Sequence, residues 1–351
     1  MLDSSRGEDA RFSFWKQGFD SPIEYKNKNK SMNTKLVTAY YPIHNGPPFW
    51  GKEGRHRWYK HSIASICNTE VPVVCYTDQS SYDELLEIKN ERQLNNLTIK
   101  IYEMSSNPFQ ERIFKIRTEG NPEVYNNDLH YFYRMPVTIY WMKWTFLQME
   151  YVENTYLYWI DAGLSTDGVL PKRGNDYADE PGFNNRYADM GNYYNDHEFK
   201  FYSFKKIFNP DFITRVNNFT NNKILNLCRQ NQTDNDFYLL EDKLNLPKGK
   251  IMKDNLFPVG AMFGGNSNKL LDYINKFNNT AEQILNIGDY LCTEQEIMGY
   301  IHSEHPEWFA DWVFNDFYHE DWEIMNDHKL IPYRELFPNN ISFSSFFLDL
   351  K

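Results

Sequence analysis

The sequence has no apolar stretch approaching the roughly 18 consecutive residues that a membrane-spanning helix needs, and no short apolar core near its start. Neither export nor membrane insertion is therefore expected, and the reading is a soluble cytoplasmic protein. Positive charge is also short. Lys and Arg number 37 against 48 Asp and Glu, for a formal net charge of -11. Gripping nucleic acid or an anionic membrane needs clustered cations that displace counterions, so neither is an expected partner. Only four cysteines occur (Cys67, Cys75, Cys228 and Cys292), with no C-x-x-C spacing and each inside an apolar stretch, which reads as reduced core thiols. The P-loop, G-x-G-x-x-G, G-x-S-x-G and H-E-x-x-H patterns are all missing, which weakens ATPase, NAD, serine-hydrolase and metalloprotease readings. His302 and His305 have H-x-x-H spacing, but no third ligand follows them.

Aromatic residues are abundant. Tyr, Phe and Trp number 25, 26 and 9 in 351 residues, enough for a large core and for faces that stack on sugars or bases. Residues 1–33 are polar and without sustained periodicity, which reads as an arm before a single folded domain over 34–351. Leu36–Tyr41 (LVTAYY) and Val71–Thr77 (VPVVCYT) are apolar, β-branched runs closed by turn residues, so both read as buried parallel strands. Helix-compatible patterns follow each, over Trp58–Ile66 and Tyr82–Ile88, and Leu97–Met104 reads as a third strand. Pro136 suits a first helical position, and Val137, Tyr140, Trp141, Trp144 and Leu147 repeat at helical spacing.

That helix leads into Thr155–Ile160 (TYLYWI), an unbroken apolar strand that stops at Asp161. In open α/β sheets ligands collect beyond the carboxyl ends of strands, so a carboxylate there is placed to act, although a turn cap is an open alternative. Residues 165–197 are rich in Gly, Asn, Asp and Tyr and read as a long loop beside the site, whose acidic residues Asp176, Asp179 and Glu180 leave a hydrolase reading open but weakly supported. Phe257–Phe263 reads as a further strand ended by Gly264 and Gly265, followed by a helix over about 267–277. Thr293 and Glu296 have capping-box spacing at the start of another helix, leaving Glu294 to point elsewhere. Residues 308–322 form an aromatic C-terminal segment.

Taken in order, LVTAYYPI (36–43), VVCYTD (73–78), Lys143, YWIDAG (158–163), GAMFGG (260–265) and TEQ (293–295), before a helix ending in HPEWF (305–309), resemble the HtrL/YibB-like family of GT-A glycosyltransferases. The resemblance spans roughly residues 35–310 and implies a GT-A, Rossmann-like, mostly parallel sheet flanked by helices. It implies transfer of a sugar from a nucleoside diphosphate sugar to a glycan acceptor, aided by Mn²⁺ or Mg²⁺. It places Thr38, Ala39 and Tyr40 at the nucleotide, Asp78 near the base or ribose, and Asp161 where GT-A enzymes carry the metal-binding D-x-D signature. The second acidic position of that signature is Gly163 here, which leaves one carboxylate, and His319 is a candidate co-ligand from late sequence. Gly264, Gly265 and Gln295 fall beside the substrate. Glu294 falls where an inverting enzyme keeps its base, with helix-dipole complementarity as the open alternative. Lys143 either pairs with the diphosphate or exposes its ammonium on a polar helix face. The missing second aspartate also keeps open a sugar-nucleotide-binding protein without catalysis.

Overall fold

Thr34–Tyr40 forms β1, and its side chains are buried on both faces, with Leu36 and Tyr40 in one core cluster and Val37 in another. Burial on both faces is the environment of an inner parallel strand, which is why the run lacks strict polar alternation. In the computed structural model, residues 33–41, 62–119, 128–162, 208–230, 235–251, 256–314, 323–326 and 329–332 are described. The polar arm lies outside them except for residue 33.

Val73–Thr77 forms β2, every residue of it buried, and Leu97–Ile101 forms β3. Between them, α1 (Gln79–Glu91) starts where Asp78 caps it, its Oδ1 accepting from the Ser81 amide at 2.9 Å. The cap satisfies an orphan amide, so the helix begins earlier than apolar spacing alone indicates. The helical pattern expected at 58–66 is present over the described part, 62–66, and continues into a short 3-10 turn at Cys67–Thr69. The third strand stops at Ile101, because residues Met104–Ser106 turn as a 3-10 segment.

Helix α2 (Gln110–Glu119) precedes α3 (Asp128–Met149), so Pro136 is interior to a helix that begins eight residues earlier and does not mark its start. Trp141, Trp144 and Leu147 are buried, as their spacing requires. Then come β4 (Tyr156–Ile160), α4 (Pro210–Thr220), β5 (Ile224–Gln230), α5 (Asn235–Lys243) and β6 (Leu256–Asn266). Helices α6 (Ser267–Ile287) and α7 (Glu294–Glu304) lead to β7 (Phe309–Phe314), and β8 (Glu323–Asn326) pairs with β9 (Lys329–Pro332) in a separate two-stranded sheet. The aromatic segment expected at 308–322 thus contains a strand.

The main sheet has the order β3-β2-β1-β4-β6-β5-β7, with β6 antiparallel to its neighbours and every other pairing parallel. Helices cover both faces. One core cluster joins the sheet to α1 and α4 through Leu85, Ile88, Phe212 and Val216, and the other joins it to α3, α6 and α7 through Trp144, Phe277 and Ile297. In the second cluster the Trp144 ring stacks on Phe277 at 4.2 Å and meets Tyr273 edge-on at 4.6 Å. Each fully buried aromatic of this kind contributes about 1.5–3 kcal/mol. This is the expected mixed α/β architecture of one mostly parallel sheet flanked by helices.

The order of the strands locates a crevice. From β1 the chain moves outward to β2 and β3, then returns to place β4 on the other side of β1. The strand order reverses between β1 and β4, and ligands bind in open α/β sheets at such switch points. Strand β6 runs the other way and continues through both Gly264 and Gly265, so the expected strand end at residue 263 is displaced to Asn266.

Candidate functional site

Asp161 follows β4 at the switch point, its amide donating to the Ala261 carbonyl of β6 at 2.8 Å. Side chains alternate along a strand, so Asp161 shares its face with Leu157 and Trp159, the face covered by α3. Trp159 Nε1 donates to Asp161 Oδ1 at 2.6 Å, and Lys143 Nζ reaches the same oxygen at 3.0 Å. The Asp161 side chain stays 36% exposed, and among the described residues its Oδ2 has no partner.

Lys143 comes from the middle of α3, between the buried Met142 and Trp144, and is itself only 2% exposed. It meets three acceptors: the Gly260 carbonyl at 2.8 Å, Glu294 Oε1 at 2.9 Å and Asp161 Oδ1 at 3.0 Å. The first two are hydrogen bonds and the third is an ion pair, so the charge is matched inside the protein. The rings of Tyr140 and Trp159 lie 5.4 and 5.5 Å from Nζ and add cation–π attraction. Burial alone would drive the ammonium toward its neutral form, but the carboxylates of Asp161 and Glu294 outweigh that and hold its pKa above the ordinary 10.5.

Glu294 opens α7, whose N-cap is Thr293, and is buried with Lys143. Its carboxylate lies in the positive field of the helix N-terminus. Glu296 does turn back to Thr293, but it takes the threonine hydroxyl, and Thr293 makes no side-chain cap bond to the helix amides. Gly260 completes the arrangement by having no side chain. A Cβ there would lie 2.4 Å from Glu294 Oε1 and 3.2 Å from Lys143 Nζ, so only glycine leaves room for the pair.

The structure brings Asp161, Lys143 and Glu294 together. Lys143 is neither on a polar helix face nor free to meet a diphosphate. Glu294 faces an ammonium with 3% of its side chain exposed, so in this arrangement its Oε1 is committed to Lys143 rather than presented to an acceptor hydroxyl. Thr38 and Tyr40 are sealed in the core at 0% and 2% exposure, on the side of the sheet opposite Asp161, while Ala39 is half-buried on the Asp161 face. Asp78 has its Oδ1 engaged as the cap of α1. Gly264 and Gly265 pair with Tyr158 and Leu157, and their missing side chains admit the backbones of Leu157 and Lys223. Gly264 stands three residues past Ala261, roughly 10 Å away at the usual strand rise. The close approach these glycines permit is therefore to neighbouring strands. Gln295 is half-buried beside Glu294. Gly163, His319 and the acidic loop over 165–197 lie outside the described residues.

Two partners were not singled out from the sequence: Trp159, which reads as one more apolar strand residue, and Gly260, overshadowed by the glycine pair after it. A second polar group lies further along the sheet, where Asp311 of β7 receives Asn226 Nδ2 at 2.8 Å and faces His302 Nε2 at 3.1 Å. Cys228 beside it has its thiol pKa raised, first by burial and then by Asp311, which makes it unreactive. All four cysteines are free and buried, as their apolar surroundings suggest. Among the described residues, no group of three or more His, Cys, Asp and Glu is placed to hold a metal ion, and no helix is long and apolar enough to cross a membrane.

No protein-family model matches the chain, and no curated protein matches it. Among solved structures, the chain is similar to the apo form of mouse xyloside xylosyltransferase 1, with 10% sequence identity, a TM-score of 0.42, and coverage of 80% of this chain and 84% of that one.

Proposed function

We propose that the chain is a GT-A-type glycosyltransferase of the HtrL/YibB-like family, passing a sugar from a nucleoside diphosphate sugar to a carbohydrate acceptor. The observation that carries this reading is Asp161, a half-exposed carboxylate at the switch point of a mostly parallel sheet, braced through one oxygen and free among described residues at the other. Two carboxylates around one ammonium leave the group with one net negative charge. Such a group repels a bare diphosphate, so an anionic donor needs an intervening cation, and Mn²⁺ or Mg²⁺ fits that balance.

Asp161 Oδ2 is the described atom that would hold the ion, with further ligands from the donor phosphates or from residues outside the described set. A bound divalent cation supplies charge neutralisation to a departing diphosphate. The chain's own contribution is to hold the Asp161 carboxylate through Trp159 and Lys143, and to keep Lys143 charged inside the core.

The burial of Glu294 favours a second reading, in which the protein binds a donor without turning it over, because the carboxylate that shares Lys143 with Asp161 is turned into the core. Thermal unfolding with UDP-, GDP- and CDP-sugars, with and without Mn²⁺, tests the proposal. A productive donor at 100 times its Kd should add about 2.7 kcal/mol of stability, and Asp161→Ala should remove the shift. Absence of any shift across the panel rejects the proposal. A shift without transfer or slow donor hydrolysis selects the second reading.

A further inference from the structure

Building on that reading, we infer that Lys143 and Glu294 are positioning residues: Glu294 anchors Lys143, and Lys143 together with Trp159 fixes the Asp161 carboxylate so that Oδ2 alone is left for the ligand. Lys143 is thereby an internal counter-ion rather than a phosphate ligand, and Glu294 is not the proton acceptor.

Burial and pairing carry the first half. The Lys143 ammonium donates to Gly260 and Glu294 and forms an ion pair with Asp161, and at 2% exposure it has no surface for a phosphate oxygen. Geometry carries the second half. A general base needs the acceptor hydroxyl within about 3 Å, whereas Glu294 is buried with Oε1 turned to Lys143. Gly260 supports both halves, since the space its missing side chain leaves is filled by Glu294 Oε1 and Lys143 Nζ. The construction resembles a second shell around a metal ligand, in which an outer group sets the orientation of the carboxylate that meets the ion. Asp161 needs such help because, among the described residues, no group of three or more His, Cys, Asp and Glu is placed to hold an ion with it.

Two measurements test this. In the first, transfer or donor hydrolysis is compared for Glu294→Gln and Glu294→Ala. The amide oxygen of glutamine still accepts from Lys143, so Glu294→Gln should lose only a few-fold while Glu294→Ala loses on the order of 100-fold, the weakening appearing in donor and Mn²⁺ affinity. Equal losses in both variants, confined to kcat with KM and Tm unchanged, would make Glu294 the base and overturn the inference.

The second measurement needs no turnover. Asp161→Asn and Glu294→Gln each leave Lys143 one carboxylate, but the double variant leaves it none. The Tm loss of the double variant should exceed the sum of the single losses by on the order of 5–10 °C, and adding Lys143→Met should recover most of it, even where the double variant fails to fold. Additive losses, or no recovery with Lys143→Met, overturn the triad as a unit. A wild-type protein that binds no donor but shows the excess loss rejects the transferase reading and keeps the triad.

Discussion

Two buried ionic groups flank the C-terminal half of α3, and they are built with opposite sign. At Lys143 a single buried cation is surrounded by two carboxylates, one of which reaches solvent. Just past the helix end, Glu150 is a buried carboxylate that receives Lys35 at 2.7 Å, Tyr76 at 2.6 Å and Lys100. Its lysines are 30% and 42% exposed, so their charges are partly solvated, and both oxygens of the carboxylate are engaged. Glu150 therefore ties the end of α3 to β1, β2 and β3 and does nothing more. The Lys143 group ends instead in a carboxylate with an oxygen to spare at the switch point. What separates a structural ion cluster from a candidate site here is where the excess charge emerges, since both are buried and both are well paired.

The difference is largest in the response to losing a lysine. Lys143→Met should cost about 3–5 kcal/mol in chemical denaturation, because it leaves the Glu294 carboxylate buried without a counter-ion. Lys100→Met should cost under about 1 kcal/mol, since Glu150 keeps Lys35 and Tyr76 and the lost ammonium is substantially exposed. Similar costs for the two variants would erase the distinction. An intermediate effect belongs to Gly260→Ala. Its methyl group must displace Glu294 or Lys143, so about 1–3 kcal/mol should be lost together with the donor-induced thermal shift.

The smallest effect sharpens the Glu150 side. Burial works against its charge, but the bonds from Lys100, Lys35 and Tyr76 prevail and lower its pKa below the ordinary 4.5. Below pH 4.5 the unfolded chain then binds a proton that the folded chain refuses. The stabilisation is complete above that value and is lost as pH falls through the lowered one. Glu150→Gln should cost about 1.5 kcal/mol at neutral pH, with the difference from wild type shrinking as the pH is taken below 4.5. A difference independent of pH would remove the carboxylate charge from the account.

Much of the first half of the fold is readable directly. Val73–Thr77 and Tyr156–Ile160 are continuous apolar runs because both faces of an inner parallel strand are covered, and a run of that kind has few other places to go. Strands β5 and β7 escaped notice because Asn226, Arg229 and Asp311 interrupt them, and those polar residues are explained only by partners elsewhere, as Asn226 is by Asp311. The same limit applied at the site. Glu294 at a helix start is adequately explained by a helix dipole, and Lys143 looks like any cation on an amphipathic helix. Neither residue carries a local mark of the other.

The sequence by itself determined that an apolar strand ends at Asp161, that a long aromatic helix precedes it, and that a further strand runs through Phe257–Phe263. These follow from local periodicity, which records whether a position is buried. Tertiary structure alone decided that Lys143 points into the core, that Glu294, 151 residues later, meets it there, and that Gly260 makes the room. Periodicity says that a position is covered and not by what. The partner is set by the strand order, which carries β6 beside β4 and brings the start of α7 beside Gly260 within β6 and Lys143 next to the end of β4.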